Sequence, residues 1–408
     1  MRRVKVLMIF SILLLINGCI KRENGVTVKV PPTTTHNPVY TTPRQTNTTT
    51  TYGAMTIPNY HPPREQPVVI RNDSPFNNVE SRPPAYTIPR SRYLGGAYRN
   101  NYKLKSFINK MVSKYNYDRY TLNTIFSTVK RDEDALDKYL KPTVYSKTTY
   151  VGAWDKYRAN FLTPSRINNG VAFWRENLAY LNKASKIYGV APEYIIGIIG
   201  VETNFGSYTG THSVLNALTT LALEYKKRSK FFTGELESYV LMLRDEKLDP
   251  QQIKGSYAGA FGLSQFMPTA FRQHAVDFNG DGHINLFNKA DAIGSIAKYF
   301  VERGKWDKSI PVTMKVNYNK KRFYGLATGF KTNYSQRHLL SLGMRPTSNF
   351  YGYRGDVSLI KLSRYDRDEL WWGTKNFYAI TRYNPKDFYA MAVHQLAQAV
   401  KKAYFQRR

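Results

Sequence analysis

The sequence predicts a mainly helical α+β protein behind a long extended leader. After Tyr93, apolar residues recur at helical spacing through most of the chain. The run from Tyr194 up to Glu202 is apolar on every face and reads as a buried helix. Between 312 and 382, β-branched and aromatic residues cluster between turn signals, which reads as a small antiparallel sheet inserted before the last helix. Of the 408 residues 42% are hydrophobic and 14% aromatic, enough to bury a core and to exclude full disorder. The single cysteine excludes an internal disulfide framework and a Cys-built zinc site. Lys and Arg number 60 against 29 Asp and Glu, a net +31, which calls for a polyanionic partner or an anionic surface.

In chain order, residues 1–18 read as a secretory signal. Arg2, Arg3 and Lys5 precede an apolar run from Leu7 to Ile16 that is too short to span a bilayer, which takes about 20 residues. The run ends Ile16-Asn17-Gly18-Cys19, with a small residue directly before the cysteine. This resembles a bacterial lipobox, which implies cleavage before Cys19 and lipid on its thiol; the other reading is an ordinary signal with an incidental cysteine. Ile20 stands where enterobacterial inner-membrane lipoproteins carry Asp, so the resemblance implies the periplasmic face of the outer membrane. Residues 19–93 read as a Thr/Pro-rich linker with no apolar periodicity, a semi-extended tether. The folded part is expected over 94–408. Helices are expected at Leu104–Tyr115, Thr121–Val129, Val171–Tyr188 with Gly189 as its stop, Pro192–Glu202, Val214–Tyr225 capped by Ser213, Lys230–Leu243 and Tyr389–Tyr404. Strands are expected at Val312–Val316, Val357–Leu362, Glu369–Trp372 and Phe377–Arg382.

Two segments carry candidate chemistry. Glu202 ends the all-apolar helix, where burial and the negative end of the helix dipole both raise a carboxyl's pKa. A carboxyl protonated at neutral pH is what general-acid cleavage of a glycosidic bond needs. An ordinary glutamate at the solvent edge of a helix end fits the same pattern. The run Gly255 to Pro268 is rich in small residues that let backbones and substrate approach closely, with Gln265 offering a donor and an acceptor beside them. Tight helix packing would also explain it.

Residues 277–291 match the start of an EF-hand loop. Asp277, Asn279 and Asp281 stand at loop positions 1, 3 and 5, Gly282 makes the sharp turn at 6, and His283 at 7 would offer its carbonyl. The usual glutamate at position 12 is replaced by Asn288, and Asp291 three residues on is the candidate late ligand. A structural Ca²⁺ of modest affinity is expected, and no cofactor for catalysis. A metal-free Asx/Gly turn is the other reading.

Val201-Glu202-Thr203-Asn204-Phe205-Gly206, the Ser256 to Pro268 segment, Asp277 to Leu286 and Arg382-Tyr383-Asn384 occur in the order and spacing of the membrane-bound lytic murein transglycosylase B family, which the chain resembles from about Tyr93 to Val400. The resemblance implies a lysozyme-like helical domain with the small β subdomain inserted at about 312–382. It implies cleavage of the MurNAc–GlcNAc β-1,4 bond of peptidoglycan, leaving 1,6-anhydro-MurNAc. Glu202 matches the single acid/base. Ser256 matches a residue that orients the acid, Gln265 and Met267 match cleft residues, and Tyr157, Tyr299, Tyr383 and Tyr389 match sugar-binding tyrosines. Asn384 matches a polar contact at the cleavage subsites, and Asp277, Asn279, Asp281, His283 and Asp291 match the calcium loop. Lys227 and Arg228 match a basic pair facing peptide or lactyl carboxylates, with Lys227 in place of an expected Arg and Phe231 in place of an expected Tyr.

The expected partners are peptidoglycan strands and, through the N-terminal lipid, a membrane; protein partners are not specified. A muramidase-type hydrolase on the same fold and a non-enzymatic wall-binding lipoprotein are the competing readings. Nucleic acid is excluded by the export signal and by the lack of a recognition motif. After Tyr93 there remain 48 basic against 25 acidic residues, so the positive charge belongs to the folded part and suits the carboxylate-bearing wall.

Overall fold

The computed structural model describes residues 86–141, 151–318, 323–348 and 352–406. The signal, Cys19 and most of the linker lie outside the described residues. The strap 86–93, assigned to the linker on composition, is packed against the domain. Tyr86 N–H donates to Lys247 O at 3.1 Å, Ser91 N–H to Tyr120 O at 3.1 Å, and Arg90 pairs with Asp118 at 2.8 Å. Backbone hydrogen bonds and an ion pair hold it, and neither leaves a hydrophobic period in the sequence.

The helices begin and end on local chemistry. α1 (Tyr102–Tyr115) is capped by Asn101, whose side chain accepts from Lys103 N and Leu104 N, and Asn116 ends it in the left-handed region. α2 (Arg119–Ser127) and α3 (Glu133–Leu140) are capped by Asp118 and Asp132. α4 (Ala153–Arg158) follows. The expected single helix from Val171 to Tyr188 is two: α5 (Pro164–Glu176), with Pro164 in its first turn, and α6 (Leu178–Tyr188), stopped by Gly189. Asn177 makes the break. Its side-chain amide and its backbone N–H both donate to Phe173 O, at 2.8 and 3.1 Å, so the side chain competes for a carbonyl of the preceding turn.

α7 (Pro192–Thr203) is buried along almost its whole length. β1 (His212–Ser213), α8 (Val214–Glu224), a single 3₁₀ turn at Lys226–Arg228 and α9 (Ser229–Asp245) follow. β2 (Lys254–Gly255) pairs antiparallel with β1. α10 (Pro268–His274) and α11 (Lys289–Glu302) complete the central helices. The next elements are β3 (Thr313–Tyr318), α12 (Gln336–Ser341), β4 (Met344–Pro346), β5 (Ser358–Ser363), β6 (Asp368–Gly373), α13 (Lys375–Thr381) and α14 (Asp387–Gln406).

β3 to β6 form an antiparallel sheet in the order β4-β3-β6-β5. β5 is buried on both faces: Ile360 and Leu362 join the main helical core, while Leu359 joins a second core with Val316, Leu339, Met344, Leu370 and Trp372. Two expectations fail here. Phe377–Arg382 is not a strand but lies mostly in α13, because Thr374 caps it and Phe377 and Ile380, three apart, share one buried face. The fourth strand is instead Met344–Pro346, a short edge strand whose proline is tolerated there.

α7 and α14 are the pair that places the site. A Cβ on Gly197 would lie 2.8 Å from Val393 O, and one on Gly200 would lie 2.7 Å from Phe205 Cζ and 2.8 Å from Leu396 Cδ2. The two glycines let α14 and the Phe205 ring sit directly on α7, a distance no larger residue allows.

Candidate active site

Glu202 occupies the last turn of α7, and the chain reverses immediately after it. Asn204, Phe205 and Gly206 have φ of 48°, 60° and 90°, three successive residues in the left-handed region. Such strain persists only where the surroundings enforce it. Thr203 Oγ1 donates to Ile199 O at 3.1 Å and accepts from Gly206 N at 3.1 Å. The Phe205 ring fills the space left by Gly200 and Gly170 and lies 5.5 Å from Phe173. The turn thus fixes where the Glu202 backbone ends.

The Glu202 residue keeps a partly open face, but its carboxyl is packed around by protein. Burial pushes it up from 4.5 to about 7, and the hydrogen bond from Tyr389 pulls the other way. Tyr389 Oη donates to Glu202 Oε1 at 2.6 Å. Tyr389 is fully buried in the first turns of α14, and its phenol is held well above 10.0 by burial, then by the Glu202 charge and Tyr383. The Tyr383 phenol is raised by burial and also by Glu202, which places it within electrostatic reach of the Glu202 carboxyl. No second carboxylate among the described residues contributes to the Glu202 shift.

The small-residue segment folds as a set of tight turns against α7. Ser256 Oγ accepts from Ala260 N at 3.1 Å, and Ser256 N–H donates to Ala260 O at 2.7 Å. The hydroxyl oxygen accepts from its own turn, and among the described residues no hydrogen bond joins it to Glu202. A Cβ on Gly255 would lie 2.2 Å from Ala260 O, so this turn requires glycine there. Gln265, at φ 49°, donates from Nε2 to Thr209 O at 3.0 Å and Gly262 O at 2.9 Å. It stitches the loop after Glu202 to the small-residue segment. Met267 is buried in the main core at the start of α10.

Tyr299, Tyr383 and Phe266 form one aromatic group, with ring centroids 4.9 Å apart for the tyrosines and 5.4 and 5.9 Å from each to Phe266. Tyr383 Oη donates to Ser264 O and Tyr299 Oη to Arg382 O, both at 2.7 Å. Asn384 is 1% exposed, and its Oδ1 has no partner among the described residues. The same is true of Asn204 Oδ1 and Ser264 Oγ, beside Glu202 and Gln265 in the chain. Orphaned buried oxygens are rare in folded proteins, and these suit a hydroxyl- and amide-rich ligand. Tyr157, on α4, stands in a second aromatic row with Phe161 at 5.1 Å and Phe388 at 5.5 Å, and acts electrostatically on Tyr389. Lys227 is exposed on the 3₁₀ turn, and the Arg228 guanidinium lies 4.1 Å over the Phe231 ring. Phe231 thus supports the arginine by stacking where a tyrosine would have added a hydroxyl.

The metal-type loop is built as the sequence suggests up to His283. Asp277 accepts from Gly280 N, Asp281 N and Gly282 N, and Asp281 Oδ1 accepts from His283 N at 2.9 Å. Asn279 Nδ2 donates to Asp281 Oδ2 at 2.8 Å. The His283 ring faces Glu246 at 3.8 Å, which leaves its carbonyl as the loop donor. Asn288 caps α11 and accepts from Ala290 N and Asp291 N. Asp291 is fully buried; Oδ1 accepts from Phe278 N and Asn279 N, and Oδ2 from Asn285 N. It braces both ends of the loop. Among the described residues no three Asp, Glu, His or Cys side chains converge as ligands, so a cation here would also draw on the Asn279 amide and main-chain carbonyls. An all-oxygen donor set of that kind fits a hard cation such as Ca²⁺.

The family model for the transglycosylase SLT domain matches residues 99–398. Over 321 residues the chain is 46% identical to the membrane-bound lytic murein transglycosylase B of Escherichia coli (strain K12), covering 77% of this chain and 86% of that protein. The chain belongs to the membrane-bound lytic murein transglycosylase B family. It is a lytic transglycosylase of peptidoglycan. Solved relatives of this transglycosylase include an Escherichia coli lytic transglycosylase in complex with calcium, 44% identical with a TM-score of 0.71 over 77% of this chain and 97% of that one. A Pseudomonas aeruginosa enzyme in complex with NAG-anhNAM-pentapeptide is 26% identical, with a TM-score of 0.64 over 73% of this chain and 78% of that one. No helix among the transglycosylase's described residues is long and apolar enough to cross a membrane.

Proposed function

We propose that this transglycosylase cuts the MurNAc–GlcNAc β-1,4 bond with Glu202 as its single acid and base. The observation that carries the reading is a carboxyl raised to about 7, hydrogen-bonded by a buried tyrosine, with no second carboxylate acting on it among the described residues. In the protonated state Glu202 gives its proton to the glycosidic oxygen as the C1–O bond breaks. The carboxylate it leaves accepts from Tyr389 Oη, which stabilises the charge formed in that step. Glu202 then takes the proton of the C6 hydroxyl as that oxygen bonds C1, closing the 1,6-anhydro ring and restoring the acid. Retaining hydrolysis would need a second carboxylate about 5–5.5 Å from the first, and inverting hydrolysis one somewhat further off to activate water.

Tyr157, Tyr299, Tyr383 and Asn384 line the glycan path in this reading, and Gln265 and Ser256 hold the loops that shape it. Lys227 and Arg228 meet substrate carboxylates at its edge. The 277–285 loop holds a structural Ca²⁺ with Asp291 as its brace, a reading supported by the calcium complex of the Escherichia coli relative. Lipid on Cys19 anchors the chain to the periplasmic face of the outer membrane, supported by the membrane-bound relative. Mass spectrometry of muropeptides released from sacculi tests the reaction. Products one water lighter than hydrolytic muropeptides are expected. Hydrated reducing ends would instead make the enzyme a muramidase.

A further inference from the structure

Arg166, in the first turn of α5, is a cation the reading above does not use. Only its backbone is capped, by Thr163 Oγ1 at 3.2 Å. Its Nη1 is buried and has no hydrogen-bond partner among the described residues. The guanidinium lies 5.3 Å over the Phe161 ring, and the Tyr208 phenol is close enough to act on its charge. Burial lowers its pKa, and no carboxylate contributes to offset that. The residue as a whole is only partly covered, so the buried Nη1 belongs to a side chain that solvent still reaches in part. An arginine with a buried, unpartnered guanidinium nitrogen normally has an anion beside it, because its charge is costly to desolvate alone.

Its surroundings say where the anion comes from. Phe161 is 5.1 Å from Tyr157, which is 5.5 Å from Phe388, the residue before the tyrosine that holds Glu202. Tyr208 follows Glu202 in the loop whose Thr209 carbonyl is bonded by Gln265. Arg166 therefore stands between the Tyr157 aromatic row and the loop leaving the acid. It is separate from Lys227 and Arg228 on the turn before α9. We propose that Arg166 is a carboxylate-binding subsite of the glycan cleft, pairing in bidentate fashion with a lactyl or stem-peptide carboxylate of the substrate. The proposal rests on the peptidoglycan-cleaving reading. A planar fork suits a carboxylate better than a lysine would.

The test compares the wild-type full chain in detergent with Arg166→Met and Arg166→Lys on three soluble glycans. One carries stem peptides. A second has been stripped by an amidase, which frees the lactyl carboxylate. A third is the stripped glycan with that carboxylate converted to an amide. Arg166→Met is expected to raise KM about tenfold or more on at least one charged glycan, as loss of a charge-assisted pair does, with the change carried in KM and not in kcat. An effect confined to the first glycan identifies the peptide carboxylate, and one confined to the second the lactyl group. On the amidated glycan the variants and wild type should agree within about threefold. An equal loss on all three glycans would show a packing role and overturn the proposal, as would no change on either charged glycan. If Arg166→Met does not fold by circular dichroism, Arg166→Lys carries the same comparison with a smaller KM rise on charged glycans only. The KM ratios do not depend on which product forms, so hydrated ends would overturn the transglycosylase reading while leaving this comparison intact.

Discussion

Replacing Glu202 by Gln should make the protein more stable at alkaline pH while abolishing its activity. In the fold the carboxyl titrates at about 7, against 4.5 ordinarily, because burial disfavours its charged form. Between those two values the folded chain binds more protons than the unfolded chain, so stability falls as pH rises through that window. At about 1.36 kcal/mol per pH unit the difference amounts to about 3 kcal/mol above pH 7, an upper bound that solvent at the open face reduces. Gln keeps the Oε1 acceptor for Tyr389 and carries no charge, so it escapes this penalty. Urea denaturation of both proteins from pH 4 to 8.5 reads the effect. The variant should gain steadily on wild type above pH 5 and match it at pH 4, within about 0.5 kcal/mol for the exchange of groups. A stability difference that does not change with pH would refute the argument that Glu202 is held protonated by burial.

Three further outcomes follow from the same geometry. Tyr389→Phe removes the bond that lowers the Glu202 pKa, so the alkaline limb of the pH–rate profile should move to higher pH while the rate at pH 7 drops by about tenfold or more; an unmoved limb would show that the bond is not made in solution. Chelation with EDTA should lower the melting temperature and added Ca²⁺ restore it, read by differential scanning calorimetry, and identical curves would argue against a bound ion in the 277–285 loop. Gly200→Ala forces a Cβ to within 2.7 Å of the Phe205 ring, which should cost about 1–3 kcal/mol in chemical denaturation and reduce activity by tilting the turn after Glu202; a neutral effect would mean the Phe205 ring moves freely.

Much of this protein was legible in its sequence because the relevant information is local. The all-apolar run 194–201 had to be buried, so the glutamate ending it had to be partly desolvated. The loop from Asp277 to Gly282 follows from the spacing of oxygen donors and the turn that glycine makes. Sheet and helix were confused only at Phe377–Arg382, where the residues suit a strand but the Thr374 cap and the buried Phe377–Ile380 face form a helix. The break at Asn177 depended on one side chain competing for one carbonyl.

The tertiary structure decided what depends on contacts between distant segments. Glu202 and Tyr389 are 187 residues apart, and only the packing of α14 on α7 through Gly197 and Gly200 turns a tyrosine read as a sugar contact into the partner of the acid. Asp291 was a candidate ligand by spacing, and the buried position of α11 adds a role the sequence did not show, with both its oxygens accepting from loop amides. Arg166 carried no sequence signal at all, since an arginine in a first helical turn is ordinary until the fold covers it and supplies no anion. Sequence determined which groups would be buried and which turns would form. Which polar groups meet inside that burial is set by side chains brought together from far along the chain, and no local pattern encodes that.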